Sequence, residues 1–201
     1  LLLIYFLIFI NFIFFEKINA QEINEMGLSV KAEKALEWHQ LENKIIAIGN
    51  AKIQTKEVTL KAEKIIILYN GKIEDGKLKN LNATGDAFIK NGTNQIFANS
   101  ITYNLISQVI NVSGNNIRMT TKNGNIKSSD KLKFLIQESL VNIEGKGEIE
   151  LKNNGTIFAN KIDIYLTPEG GVLKLIAQDK VKIAFANQTQ IISADKANLD
   201  N

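Results

Sequence analysis

The 201-residue sequence contains no cysteine, one proline (Pro168) and one histidine (His39). The absence of cysteine excludes disulfides, cysteine–zinc sites and thiol catalysis. Any catalytic triad or histidine-rich metal site would depend on His39, and no constellation of hydroxyls or carboxylates frames that residue. Scarce proline is typical of a chain made largely of paired strands, because proline cannot donate to a strand ladder. We therefore expect no enzymatic activity, no metal and no cofactor.

The sequence also lacks a large excess of charge of either sign. Lys and Arg number 24 and Asp and Glu 21, which gives a formal net charge of +3. That surplus is too small to indicate a nucleic-acid groove, so we expect no nucleic-acid partner. Hydrophobic residues at 45% and charged residues at 22% are the composition of an ordinary globular chain.

Residues 1–15 form an apolar run that only Asn11 interrupts. As a helix this run would measure about 22 Å, which is shorter than the hydrocarbon core of a bilayer, about 30 Å, that a helix of about 20 residues spans. The run suits the apolar region of a secretory signal with cleavage after Ala20. An uncleaved membrane anchor is the alternative. In either case we expect residues 21–201 to be exported and to form the folded domain.

Two interleaved markers repeat along residues 21–201. The first, here called the Ala-Asp-Lys motif, occurs as Ala32-Glu33-Lys34, Ala62-Glu63-Lys64, Ala98-Asn99-Ser100, Ser129-Asp130-Lys131, Ala159-Asn160-Lys161 and Ala194-Asp195-Lys196. Its middle residues are 30, 36, 31, 30 and 35 positions apart. The second, here called the Gly marker, occurs as Gly49-Asn50, Gly85-Asp86, Gly114-Asn115 and Gly145-Lys146, with Gln178-Asp179 at a fifth position that lacks the Gly. A shared period of this kind predicts a stack of similar units.

Each unit has the period of two that is typical of β-strands. After each motif the apolar residues stand at every second place, as in Leu132 and Phe134. Before each motif the apolar residues stand at odd offsets from its middle residue, whereas after it they stand at even offsets. The phase of the apolar alternation therefore changes across the motif. We interpret each Ala-Asp-Lys motif as a bulge or bend at a sheet edge. Asn-Gly pairs at 70–71, 91–92, 123–124 and 154–155 predict tight turns. A short helical turn is compatible with residues 31–41, because Leu36 and Trp38 break the apolar pattern of the other units there.

The predicted fold is all-β: an elongated two-sheet β-jelly roll, or solenoid-like groove, of about a dozen antiparallel strands with two per repeat. The last motif, Ala194-Asp195-Lys196, starts a unit that the sequence does not finish. Because an open strand edge usually has to be covered or paired, we expect end-to-end association with another copy or a similar domain.

These markers resemble those of the OstA-like (LptA-type) family of lipopolysaccharide-transport proteins. The clearest stretch is 30–69, with Ala32-Glu33-Lys34-Ala35, Ile48-Gly49-Asn50-Ala51-Lys52-Ile53 and Leu60-Lys61-Ala62-Glu63-Lys64. Weaker copies extend the resemblance to about 21–199, with departures at Asn99, Asn160 and Gln178. The resemblance implies a groove-like β-jelly roll in the periplasm of a Gram-negative bacterium. It also implies partners: lipopolysaccharide, bound by its lipid A acyl chains, further copies joined end to end, and OstA-like domains of the inner- and outer-membrane export complexes that the protein would bridge.

Two sheets that splay at one edge would form an apolar groove, and an acyl chain in it would gain about 0.8 kcal/mol per buried CH₂. The candidate lining residues are Ile65, Ile67, Ile101, Tyr103, Leu132, Phe134, Ile162 and Ile164. A closed core without a ligand is the alternative that the pattern leaves open. The recurring Lys34, Lys64, Lys131, Lys161 and Lys196 are expected to be solvated edge charges, with contact to lipid phosphates as the alternative.

Two competing functions remain open at the level of sequence. The first is a membrane-anchored, LptC-like component of the same export pathway, in which residues 1–15 stay attached as the anchor. The second is a structural β-solenoid or adhesin-like surface module with a closed core and no lipid.

Overall fold

The computed structural model describes residues 21–25, 28–56, 58–71, 77–122, 124–152, 155–167, 171–185 and 191–200. The predicted signal or anchor at residues 1–20 lies outside the described residues, as do Pro168 and the Asn123 and Asn154 positions of two predicted turns. Fifteen strands are described: β1 (Gln21–Glu25), β2 (Leu28–Ala32), β3 (Ala35–His39), β4 (Lys44–Gln54), β5 (Val58–Asn70), β6 (Lys77–Asn91), β7 (Asn94–Asn104), β8 (Val109–Ser113), β9 (Ile117–Thr121), β10 (Gly124–Ser128), β11 (Lys131–Leu135), β12 (Leu140–Leu151), β13 (Gly155–Leu166), β14 (Val172–Ala184) and β15 (Ile191–Asp200). A 3₁₀ turn at Gln40–Glu42 follows β3. The helical turn compatible with residues 31–41 is thus a single turn at the end of that range, and the residues before it are mostly strand.

The strands pair antiparallel in one continuous sheet that is bent into two layers. The long strands cross from one layer to the other, and the pairing shows where. In β4, residues 51–54 pair with residues 59–62 of β5, and residues 52–54 of that segment also pair with β2. Residues 44–48 pair instead with β3 and with residues 64–68 of β5. We call the first set of segments layer 1 and the second set layer 2. Layer 1 continues through β9 and β10, and layer 2 through β8 and β11.

A row of register shifts, here called the fold line, separates the two layers. On β4, Gly49 and Asn50 stand between the pairs Ile48–Lys64 and Ala51–Ala62, where β5 has Glu63 alone. In the same way, Gly85 and Asp86 of β6 stand opposite one residue of β7, Asn99. The extra residue therefore lies on the strand that carries the Gly marker. The prediction that the Ala-Asp-Lys motif is a bulge was therefore wrong, although the motif does lie at the bend between the layers. Its predicted place at a sheet edge was wrong for residues 62–64, 98–100 and 159–161, whose strands are paired on both sides. Residues 194–196, by contrast, lie in β15, which pairs only with β14 among the described residues.

The physical reason is backbone conformation. The first residue of such a bulge takes a left-handed conformation that glycine adopts without a steric penalty. Gly49 and Gly85 have φ values of +82° and +80°. At the fifth fold-line position the bulged residues are Asp179 and Lys180, with φ values of +63° and +56°. The fifth marker is thus shifted by one residue from the Gln178-Asp179 position that the spacing indicates.

The two sequence markers share one period because they touch across neighbouring strands. A Cβ built on each of four glycines would lie 2.2–2.8 Å from a side-chain atom of the preceding motif. The pairs are Gly49 with Lys34, Gly85 with Glu63, Gly114 with Asn99 and Gly145 with Asp130. The motif side chain also satisfies polar groups of the bulge, as in the 3.2 Å hydrogen bond from the Asn115 N–H to Asn99 Oδ1.

The core lies between the two layers. In β5 the buried side chains are Leu60 and Ala62 before the fold line and Ile65, Ile67 and Tyr69 after it. The apolar side chains before and after the motif therefore all point inward, because the strand bends where the phase of the alternation changes. The all-β, jelly-roll-like architecture predicted from the sequence is confirmed.

Candidate functional site

Two cavities lie between the layers in the part of the chain that the structure describes, and the larger has a volume of about 380 Å³. Layer 1 contributes Leu28, Ile53 and Leu60 to its wall, and layer 2 faces them with Leu81 and Tyr103. Polar lining atoms belong mainly to residues where layer 1 strands end, such as Asn91 and Asn94. The cavity is thus an apolar space with a polar rim on the side away from the fold line.

A second cavity of about 280 Å³ continues the first along the sheet, towards β14. Its apolar wall includes Val141, Ile149 and Ile164, and its rim is more polar, with Ser139 and Glu150 among the lining residues. Together the two cavities form what we call the groove. Its walls come from both layers and its mouth lies between the free ends of the strands.

The structure places the eight candidate lining residues in two environments. Four of them line the groove: Ile101, Tyr103 and Phe134 the larger cavity, and Phe134 and Ile164 the smaller. The other four, Ile65, Ile67, Leu132 and Ile162, are at most 1% exposed and are absent from both linings. Distance from the fold line accounts for much of the difference, since the layers converge there and close around the inner positions. Lipid contact by any of the eight stays a prediction.

Sequence reasoning missed most of the layer 1 wall. Leu60, Ile96 and Ile157 stand before their motifs, at the odd offsets that the sequence pattern displays. The structure turns them towards the groove or the core beside it, so that they face the residues that follow the motifs. The signal for these wall residues was the apolar alternation before each motif, whereas all eight candidate lining residues come from the stretches after the motifs.

The recurring lysines lie away from the groove. None of Lys34, Lys64, Lys131, Lys161 and Lys196 lines either cavity. Lys64, Lys131 and Lys161 sit in strands that are paired on both sides. The expectation that they protect sheet edges is therefore wrong for these three, because the fold line runs through the interior of the sheet.

One of these lysines forms an ion pair across the fold line. Lys34 Nζ lies 2.6 Å from Glu63 Oε1. The hydrogen bond and charge of Lys34 lower the pKa of Glu63, and the same contact raises the pKa of Lys34. Both side chains are at least half exposed. The pair therefore orders the fold line at the surface and takes no part in the groove.

The described ranges hold little other chemistry. No cluster of three or more His, Cys, Asp or Glu there could hold a metal ion. His39 is half-buried beside Glu37, with Nε2 and Oε2 2.9 Å apart. Among the described residues, no helix has the length and hydropathy needed to cross a membrane.

Comparison with known proteins gives one family and one fold. A family model described as the LptA/(LptD N-terminal domain) LPS transport protein matches residues 29–140. No curated protein matches the chain. Among solved structures it resembles the crystal structure of LptH from Pseudomonas aeruginosa, described as the LptA homologous periplasmic component of the lipopolysaccharide transport device. The TM-score is 0.50 at 10% identity, over 58% of this chain and 81% of that one. At that identity the likeness bears on the fold alone.

The matched residues run from β2 into the first residue of β12. They carry the first three fold-line positions and, apart from Leu28, the whole lining of the larger cavity. The match covers more than half of the chain. The chain belongs to the LptA/LptD N-terminal domain family of LPS transport proteins.

Proposed function

We propose that this protein binds lipopolysaccharide by its acyl chains in the groove and carries it through the periplasm towards the outer membrane. The observation that supports this most directly is the larger cavity. Its walls are apolar on both layers, with aromatic Tyr103 and Phe134 on layer 2, and its polar residues lie mainly at the rim. An amphiphile with apolar chains and a polar headgroup matches that distribution, because the chains can enter while the headgroup stays in water.

The energetics favour a lipid with more than one chain. Ten methylenes in the groove would contribute about 8 kcal/mol. Association of two molecules costs roughly 4–15 kcal/mol in lost translational and rotational freedom. One chain therefore gives little net affinity, whereas several chains on one headgroup share a single association cost. Lipopolysaccharide, with several acyl chains on one lipid A, fits this requirement.

The periplasmic location rests on two observations. The sequence carries the apolar run at residues 1–15, which suits export. The similar LptH is described as a periplasmic component. Mass spectrometry of the purified protein's N-terminus separates the two forms of the proposal. A chain that starts at Gln21 indicates a cleaved signal, and retention of residues 1–15 in a membrane fraction indicates the LptC-like, anchored component.

Bridging between the membranes would use the ends of the sheet. Within the described residues, β15 pairs only with β14, and β1 pairs only with β2. An unpaired strand edge is a template for a strand of another chain. A second copy, or a similar domain of the inner- or outer-membrane export complexes, would extend the sheet and with it the groove.

A pair of Phe→Asp variants tests lipid capture. Phe134 lines both cavities, whereas Phe158 lies on the outside of layer 1 and is 38% exposed. We expect Phe134→Asp to weaken capture of lipid A by about tenfold or more, because a charge in an apolar wall is costly to bury. Phe158→Asp should leave capture unchanged.

Folding is measured on the same samples by circular dichroism and thermal melting. Weakened capture by folded Phe134→Asp supports the proposal. Unchanged capture removes Phe134 from the binding site. If the parent protein captures no lipid A, the transport function fails, and a structural module with a closed core replaces it.

A further inference from the structure

We infer that the groove holds acyl chains in two separate compartments, divided at Phe134 and Met119, and not in one continuous channel. This inference rests on the proposed function, since it presupposes that acyl chains enter the groove. It assigns to each cavity one part of a lipid's apolar region.

The division follows from which residues line each cavity. Four residues belong to both linings: Asn94, Met119, Phe134 and Ile136. Met119 comes from β9 in layer 1, and Phe134 comes from β11 in layer 2. The two side chains therefore project from opposite walls at the junction of the cavities. Every other lining residue belongs to one cavity only.

Both residues are held in place by neighbours on their own layers. Met119 is 8% exposed and is paired with Ile96 and Ile126. Phe134 stands between Ile110 and Val141 and packs against the core. A large aromatic side chain opposite a buried methionine narrows an apolar channel more than the aliphatic residues that make up most of its wall.

The two compartments differ in chemistry. The larger spans layer 1 from β2 to β9, about 24 Å at the usual strand spacing of ~4.8 Å. Its polar lining residues are few and lie at the rim. The smaller spans β9 to β14 and has Thr121, Asn125, Glu150 and Thr167 in its lining. The larger compartment therefore suits a full acyl chain, and the smaller suits a chain segment close to a polar linkage.

The test uses dodecanoate, a single-chain probe, below its micellar concentration. Because the sequence lacks cysteine, one introduced cysteine carries a single environment-sensitive fluorophore. Asn91→Cys reports on the larger compartment and Glu150→Cys on the smaller, as each lines only one cavity and is exposed. Each reporter is titrated alone and in the presence of a wall variant.

The wall variants are Leu81→Asn in the larger compartment and Leu166→Asn in the smaller, both at half-buried positions. With separate compartments, each variant should weaken the response of its own reporter by about tenfold and leave the other unchanged. Phe134→Ala should join the compartments, so that either wall variant then affects both reporters. The fold of every variant is checked by circular dichroism, and a variant that melts early is replaced by Leu→Ala at the same position.

Two outcomes overturn the inference while leaving the proposed function intact. In the first, both reporters of the otherwise unmodified protein respond with one affinity, and each wall variant weakens both. In the second, Phe134→Ala leaves the independence of the reporters unaltered, so that Phe134 is not the divider. Failure of the proposed function looks different, because neither reporter would respond to dodecanoate or to lipid A.

Discussion

Gly85 lies directly against the side chain of Glu63 on the neighbouring strand. A Cβ built on Gly85 would stand 2.8 Å from Glu63 Cβ, and the Gly85 backbone has a φ of +80°. One residue of the Gly marker thus meets the central residue of an Ala-Asp-Lys motif that precedes it by 22 positions. This contact sits at the bend that turns one sheet into the two walls of the groove.

Replacement of Gly85 by alanine should therefore lower the free energy of unfolding by about 3 kcal/mol. The left-handed backbone penalises a Cβ, and the close approach to Glu63 adds steric strain. Chemical denaturation measures the difference. Gly92→Ala is the matched control, because Gly92 also has a positive φ (+57°) but a Cβ there meets nothing within 4 Å. It should lose only about 1 kcal/mol. Equal losses for the two variants would contradict the contact.

The opposite change should stabilise the fifth fold-line position. Lys180 is exposed and has a φ of +56°, a conformation that L-residues other than glycine, asparagine and aspartate disfavour. Lys180→Gly should raise the free energy of unfolding by about 1 kcal/mol. Lys182→Gly, in the regular part of β14, is the control and should destabilise the protein. A lower melting temperature for Lys180→Gly would show that the bulge lies elsewhere.

The ion pair between Lys34 and Glu63 predicts a specific pH dependence. The pKa of Glu63 is lowered, so the stability that it contributes is present above its ordinary pKa and is lost as the pH falls through the folded value. The pKa of Lys34 is raised, so its contribution is present below its ordinary pKa and is lost as the pH rises through the folded value. The pair therefore stabilises the neutral range most.

The measurement is an NMR titration of the Glu63 carboxyl carbon. In Lys34→Gln its midpoint should move up towards the ordinary value for glutamate, because the main cause of the shift is removed. Lys174→Gln, far along the sheet beside Asp200, is the control and should leave the Glu63 midpoint in place. A Glu63 midpoint that ignores Lys34→Gln would rule out the pair in solution.

End-to-end association should depend on the β15 edge. Ile192 lies in that edge strand and is 48% exposed. Ile192→Pro removes a backbone donor and should leave shorter assemblies of folded protein, whereas Ile192→Ser keeps the donor and should assemble more nearly like the parent. Light scattering over a range of concentrations measures assembly size. A parent protein that is a strict monomer at every concentration would refute the idea.

Local information in the sequence was enough for the strands and for their stacking. The period of two after Asp130 or Asn160 does not depend on any distant residue, and neither does the left-handed preference of Gly49 or Gly85. The spacing of the two markers was visible as well, although its cause was not. That cause is the contact of Gly85 with Glu63 and of its three equivalents, and a contact between strands has no signature within either strand alone.

The residue pattern along each strand is enough to specify a stack of antiparallel strands with an apolar interior, because alternation and turn residues act over a few positions. Which interior residues line a groove depends on how the two layers pack against each other. Ile162 and Ile164 look alike in the sequence, yet Ile164 lines the smaller cavity and Ile162 is sealed in the core. The reason is the bend at the fold line: the layers meet there and separate with distance from it, so a residue's access to the groove depends on both walls at once.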